Sequence, residues 1–262
     1  MIVSRYQLMM QIYLKLFFQG NFTTLLVVNL LRITITTCSL TLHQLKYWSI
    51  YMGELNFSLA SLEALYHIDP DVKGLLKRKF ASSHEEFVDQ LYVDLDDAMY
   101  VLETQKHMYQ TAQWGEDELT SVIISFLKGR HYDAEHDTQH GGHIDILVKH
   151  QFGKFAWIGE AKLWDGPAYI YGGWNQLNER YGTGTVRDNH GGIIIYVKIK
   201  KSGEKLDDWR KHLQQEVADA TIAIDQKNPL RFMSTTLHPA TSQPYYVRHM
   251  AVSLFHATGS SE

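Results

Sequence analysis

Asp145, Glu160 and Lys162 stand inside two stretches that otherwise read as buried strands, Gly142-His143-Ile144-Asp145-Ile146-Leu147-Val148 and Ile158-Gly159-Glu160-Ala161-Lys162. Side chains repeat every second residue along a strand. Ile144, Ile146 and Val148 therefore share one face and Asp145 and Leu147 the other, while Ile158, Glu160 and Lys162 share a face of the second strand. The segment between them, His150-Gln151-Phe152-Gly153-Lys154, carries a glycine suited to a tight reversal. Pairing His150 with Phe155 sets Asp145 opposite Glu160, with Cβ atoms about 5 Å apart. Two carboxylates that close repel each other, more so when buried. A shared divalent cation resolves the conflict, and carboxylate oxygens suit Mg²⁺ or Mn²⁺. The chemistry such a site offers is hydrolysis by a metal-activated water, with the Lys162 ammonium on the same face to hold that water or offset negative charge.

The elements that must position these groups are legible in outline. Asp69-Pro70 has the form of an N-cap followed by proline at the first helical position. Ser83-His84-Glu85-Glu86 has capping-box spacing and opens a helix whose Phe87, Leu91, Leu95, Met99 and Leu102 recur at steps of three and four. Asp89, Asp94, Asp96 and Asp97 crowd its other faces and read as a solvated surface that would repel a phosphate backbone. Gly115 opens a second amphipathic helix through Leu119, Val122, Ile123, Phe126 and Leu127, ended by Gly129. Residues 132–139 read as a polar first strand, His140-Gly141-Gly142 as a turn, and the two motif strands follow. Residues 173–181 predict a short helix. The β-branched run 191–197 predicts a strand covered on both faces. Leu206, Trp209, Leu213, Val217 and Ile224 mark a further helix, and 231–237 and 245–255 closing strands. The order implies an α/β fold with a mixed sheet flanked by helices.

This arrangement resembles the PD-(D/E)xK nuclease superfamily, whose restriction-endonuclease-like fold carries an Asp on one strand of a hairpin and a Glu-x-Lys on the next. Here those are Asp145 and Glu160-Ala161-Lys162, with Ile144 in the place often held by proline. The resemblance covers roughly residues 115–262. It implies a central mixed sheet flanked by helices, preceded here by a helical N-terminal region, and a Mg²⁺- or Mn²⁺-dependent endonuclease acting on DNA. By analogy alone it suggests prokaryotic defence or DNA processing. It also implies that the Ala161 backbone carbonyl is a metal ligand and that a Glu on the preceding helix completes the shell. Of the two candidates, stepping 100° per residue places Glu116 nearer the face of Leu119, Ile123 and Phe126 than Glu118. Either acid would also suit a helix N-terminus. Gln176 resembles a glutamine often found on the helix after Glu-x-Lys, where it would bond a phosphate or the water, with Tyr181 packing behind it. Two alternatives remain open: a nuclease acting on RNA or awaiting a partner or ligand, and a non-catalytic interaction module that keeps the fold.

Other features weigh less. His131, His136, His140, His143 and His150 crowd one region, but their spacing makes no recognised zinc pair and no cysteine is near. His143 shares a predicted strand face with Asp145. Lys198, Lys200, Lys201, Lys205, Arg210 and Lys211 form the one basic cluster, suited to phosphate contact or to a solvated loop. Gly182-Thr183-Gly184-Thr185 lacks the lysine of a phosphate-cradling loop.

A net charge of −4 puts any nucleic-acid surface in a local patch rather than a global field. The single cysteine, Cys38, forms no internal disulfide and fits a reducing, cytoplasmic setting. Residues 1–51 contain no Asp or Glu. Their uncharged run 16–31 is shorter than the ~20 apolar residues that span a bilayer. The segment reads as a buried or membrane-surface stretch, a docking element, or sequence upstream of a start at Met52. Expected domains are thus the extension 1–51, a helical region 52–114 that offers a docking surface for a protein partner, and a core 115–262.

Overall fold

The computed structural model describes residues 69–136, 138–139, 143–150, 152 and 154–257. The extension 1–51, the alternative start at Met52 and His140 lie outside the described residues. Helix α1 (Pro70–Phe80) begins behind Asp69, whose Oδ1 accepts the Asp71 N–H at 2.9 Å. Helix α2 (His84–Thr104) begins behind Ser83, whose Oγ accepts the Glu86 N–H at 3.2 Å. In the return arm Glu86 accepts chiefly from Ser82, through both its N–H and its hydroxyl at 2.8 Å, and more weakly from the Ser83 backbone. Helix α3 spans Glu116–Gly129.

Among the described residues nine strands follow in chain order with two more helices among them: β1 (Asp133–Glu135), β2 (Thr138–Gln139), β3 (His143–Ile144), β4 (Ile146–Lys149), β5 (Ala156–Leu163), helix α4 (Pro167–Gln176), β6 (His190–Val197), helix α5 (Ser202–Glu216), β7 (Thr221–Ile224), β8 (Arg231–Leu237) and β9 (Pro244–Ser253). Seven form one mixed sheet in the order β1-β4-β5-β6-β9-β8-β7, and β2 with β3 makes a small separate ladder. The centre is parallel, β5 to β6 to β9, and antiparallel pairs flank it on both sides.

Helices cover both faces of this sheet. On one face Leu95, Leu119 and Ile123 from α2 and α3 meet Ile146, Trp157 and Ile194. On the other, Ile170 and Trp174 of α4 and Trp209 of α5 meet Leu147, Ile158 and Ile193. Residues Gly74–Glu262 form one compact unit. Because α2 shares its core with α3 and the sheet, the expected boundary at residue 114 is not a break in packing. Among the described residues no helix is long and apolar enough to cross a membrane.

Three local expectations need correction. The helix placed at 173–181 starts at Pro167, since proline at its first position sets the helical φ there, and it widens into a looser turn over Leu177–Tyr181. Ile224 belongs to β7, not to the preceding helix, which stops at Glu216. The acidic face of α2 is not merely solvated. Asp94 is fully buried, and Asp96 binds Arg231 at 2.9 Å and Arg248 at 2.8 Å.

His249, on β9, is fully buried and stacks on Phe232 with ring centroids 4.2 Å apart. The Trp209 indole N–H donates to its Nδ1 at 3.0 Å, so its own proton sits on Nε2, 2.8 Å from the Ser234 hydroxyl. Burial pushes its pKa down to about 3 from an ordinary 6.5. The folded value lies below the unfolded one, so His249 contributes stability at neutral pH that is lost as pH falls from 6.5 toward 3. The loss from this residue is about 2 kcal/mol between roughly pH 7.5 and pH 5. Urea unfolding at both pH values should show a flatter dependence in His249→Gln. His190, lowered to about 4 by burial and the neighbouring His84, contributes equally to both proteins and cancels. An unchanged slope would show that His249 does not stay neutral.

Candidate functional site

The site grows from the β4–β5 hairpin. The His150 backbone N–H donates to the Phe155 carbonyl at 2.9 Å, and the ladder runs from Lys149–Ala156 to Ile146–Gly159. Continued one step, this register sets Asp145 against Glu160, but Asp145 itself falls in a break between β3 and β4. The next amide in the ladder, that of Ala161, would have paired with the Ile144 carbonyl. It donates instead to the Asp145 carboxylate, Oδ2, at 2.8 Å. A side chain thus takes a main-chain position in the ladder, and the alternation slips there. Ile144 consequently packs with Leu147 and Ile158 rather than with Ile146 and Val148.

Glu160 follows on β5, only 1% exposed. Its Oε1 lies 2.8 Å from the Lys162 ammonium, and its Oε2 is buried with no hydrogen-bond donor among the described residues. The same ammonium is 3.4 Å from Asp145 Oδ2 and 3.5 Å from Glu116 Oε2. Burial pushes the Glu160 carboxyl up to about 7, reinforced by the negative charge of Asp145 and opposed by Lys162. For Lys162 burial works against the charge, but the carboxylates of Glu160, Asp145 and Glu116 outweigh it and hold its pKa above the ordinary lysine value. Lys162 is therefore an ammonium in this arrangement, not a proton acceptor.

The two candidate acids on α3 divide as follows. Glu118 Oε2 accepts the Gly115 N–H at 2.9 Å and serves to cap the helix. Glu116 reaches the cluster, steadied by the Tyr169 hydroxyl, which donates to its Oε1 at 2.7 Å. Helix α4 closes the site from the opposite side. Gly166, with φ +95°, turns the chain after β5 into that helix. Gly173 then lies so close that a Cβ there would stand 3.1 Å from the Glu160 side chain and 3.3 Å from that of Lys162. One turn further, Gln176 is half-buried, and the ion pairs of Lys162 run to Glu116, Asp145 and Glu160. Tyr181 is buried near enough to Glu160 and Asp145 that, after burial, their charges raise its phenol pKa.

Three contributors had little signal in the sequence. Tyr169 falls before the helix expected at 173–181 and stays exposed in the fold, so only its bond to Glu116 marks it. Gly173 reads as one of two helix-weakening glycines. His136 stood among the crowded histidines. Its Nδ1 bonds the Asp145 carbonyl at 2.7 Å, and its Nε2 is 3.8 Å from Asp117, so it braces the break that holds Asp145. The side chain of His143 lies outside the described residues. The basic cluster is largely neutralised by neighbours: Lys201 pairs with Glu204, Lys205 with Asp208, and Arg210 and Lys211 with Asp207. Lys198 donates to the carbonyl oxygens of Thr111 and Trp114.

Among the described residues no group of three or more His, Cys, Asp or Glu side chains is arranged to hold a metal ion as it stands. The shared partner of the three carboxylates is the Lys162 ammonium. The donor chemistry nonetheless fits a hard divalent cation. All the side-chain donors are carboxylate oxygens, and Glu160 Oε2 is a buried oxygen with no partner among the described residues. The Ala161 backbone lies just past the last β4–β5 pair. No protein-family model, no curated protein and no solved structure matches this chain.

Proposed function

We propose that this chain is a metal-dependent nuclease of the restriction-endonuclease-like fold that hydrolyses phosphodiester bonds in DNA. The observation that carries the reading is one cluster: Asp145, Glu160 and Glu116 gathered on a single, mostly buried ammonium, with one Glu160 oxygen that has no partner among the described residues. A structural salt bridge needs one acid per lysine. Three acids on one lysine leave an excess of negative charge that is costly to bury. A functional demand for a second cation accounts for that excess.

Bound Mg²⁺ or Mn²⁺ would supply Lewis acidity and a water activated at neutral pH. Asp145 and Glu160 would hold it, with Glu116 and the Ala161 carbonyl as further ligands. The Ala161 N–H fixes Asp145, and Tyr169 fixes Glu116, so these acids are oriented before substrate arrives. Lys162 presents positive charge where a phosphoryl oxygen gains negative charge in the transition state. Gly173 lets the backbone of α4 cover the cluster and restrict bulk water.

Calorimetric titration with Mn²⁺ tests this reading together with Mg²⁺-dependent digestion of DNA and RNA. The expected result is Mn²⁺ binding by the native chain, weakened more than roughly tenfold in Asp145→Asn, and cleavage of DNA. Absence of Mn²⁺ binding would favour a non-catalytic module that retains the fold. Digestion of RNA alone would overturn the assignment of DNA as substrate.

A further inference from the structure

Beside the acid cluster a groove of about 330 Å³ opens over an apolar floor of Ile144, Leu147 and Ile158. Leu147 and Ile158 lie two residues along their strands from Asp145 and Glu160, roughly 7 Å away. Tyr181 lines the groove and also feels the charges of Glu160 and Asp145, so groove and cluster adjoin. Three cations belong to the lining: Lys149, Lys154 and Arg187. One residue gathers them. Ala156 pairs with Lys149 across the β4–β5 ladder, follows Lys154 by two positions, and donates its N–H to the Arg187 carbonyl at 3.1 Å.

Lys149 is already engaged, 3.1 Å from Glu135. Lys154 and Arg187 are exposed, and among the described residues neither enters an ion pair. This sets them apart from the cluster on α5, where Lys205, Arg210 and Lys211 each have an aspartate. Arg187 also stands on a braced loop, 182–189. The Asp188 N–H donates to the Thr185 carbonyl at 2.9 Å. His238 Nε2 bonds the Gly182 carbonyl at 3.0 Å, and the Thr241 hydroxyl donates to the Gly184 carbonyl at 3.0 Å. Asp188, 8% exposed, is part of that brace, its Oδ2 accepting the Thr183 N–H at 3.0 Å. The acid cluster, by contrast, sets three carboxylates on one ammonium and repels a phosphate chain until a further cation is bound. Attraction for such a chain has to come from beside it.

We infer that the groove carries the sugar–phosphate backbone of the strand being cut, with Arg187 and Lys154 holding a phosphate next to the scissile one. The inference rests on the proposed nuclease function for the identity of the ligand as DNA. A backbone alternates apolar sugar faces with charged phosphates, and the groove matches it with an aliphatic floor and cationic residues above. A positively charged groove of this kind tracks the strand and fixes its register without reading its bases. Phosphates follow one another by about 3.4 Å along a strand of duplex DNA. The roughly 7 Å from the acids to the groove floor therefore spans one or two of them. Arg187 and Lys154 are thus positioning residues: they place the strand so that the scissile phosphate falls on Asp145, Glu160 and Lys162.

The test is equilibrium binding of labelled single-stranded DNA of mixed sequence, by fluorescence anisotropy in EDTA across a salt series, with cleavage kinetics in Mg²⁺ alongside. Arg187→Gln and Lys154→Gln are exposed changes that leave the core intact. Each should weaken binding roughly fivefold and lower the slope of log affinity against log salt by about 0.7, and the double variant by about 1.4. Lys211→Gln, at a lysine already paired with Asp207 at 2.7 Å, is the control and should leave affinity and slope unchanged. In cleavage, Arg187→Gln should raise KM roughly fivefold and hold kcat within about twofold, because the contact is made equally before and during the chemical step. An unchanged slope in the double variant would overturn the inference. So would an equal loss in Lys211→Gln, which would mark attraction by net charge alone. DNA cleavage with an unaltered KM in the folded variants removes the groove and leaves the nuclease reading. The expected slopes in a chain that cuts no DNA in Mg²⁺ or Mn²⁺ leave the groove and remove the nuclease reading.

Discussion

Lys162→Ala should lose roughly a hundred- to thousandfold in Mg²⁺-dependent DNA cleavage while remaining folded. The side chain is mostly buried, but what it contributes is a charge placed among three acids, at 2.8, 3.4 and 3.5 Å. Removing it takes away the positive group available to a developing phosphoryl charge. It also removes a competitor for the carboxylate oxygens. Affinity for Mn²⁺ should therefore be retained or increased as turnover collapses. This divergence separates a catalytic lysine from one that merely neutralises its neighbours, for which loss of the ammonium would cost stability alone. Single-turnover digestion of labelled DNA, paired with Mn²⁺ calorimetry on the same preparation, reads both. Full cleavage by a folded Lys162→Ala would end the assignment of Lys162, and with it the main argument for a nuclease.

The largest effect on stability belongs to Asp94→Ala, which should cost about 3–5 kcal/mol in urea unfolding. Asp94 is fully buried on α2 and accepts from Arg78 at 2.9 and 3.0 Å, from Gln90 at 3.2 Å and from Tyr132 at 2.7 Å. Arg130 approaches at 3.4 Å. Three of these donors belong to other parts of the chain: α1, the end of α3, and the approach to β1. Alanine would leave the Arg78 guanidinium buried without its counter-charge, and removing one partner of a buried pair costs far more than the pair contributes. Burial and the Asp94 charge both raise the Tyr132 phenol pKa, so the hydroxyl remains a donor throughout the neutral range. A loss below about 1 kcal/mol would place Asp94 among ordinary surface acids.

These two residues also show what a linear reading can and cannot reach. The hairpin register was legible because glycine marks the reversal and strand periodicity is strict. The choice of Glu116 over Glu118 followed from the angular step of a helix. Both are local geometry, set by residues a few positions apart. Asp94 was misread because its partners come from three elements distant in sequence, and a run of aspartates looks solvated until they dock. Glu118 is legible only as an acid suited to a helix N-terminus, because its partner is the backbone N–H of Gly115 and no capping hydroxyl marks it further. The break at Asp145 was invisible for a related reason. Alternating residues specify an unbroken strand, and nothing in that pattern says that a carboxylate will take the place of a carbonyl. The basic cluster carried no long-range message, since Asp207, Asp208 and Glu204 sit within the same helix as Lys205, Arg210 and Lys211, and Lys201 just precedes it.

That substitution of carboxylate for carbonyl has a consequence for tolerance to change. One acid of the pair grows from β5, and the other is tethered to the main chain of that same strand, one residue on. Their separation is thus referenced to a single rigid rail at the centre of the sheet, not to the arc that joins the two arms. Insertions or deletions at the tip around Phe152 can lengthen or shorten that arc while the spacing of the acids stays as it is. Changes at the tip can therefore alter its surface while β5 alone sets the separation of Asp145 and Glu160.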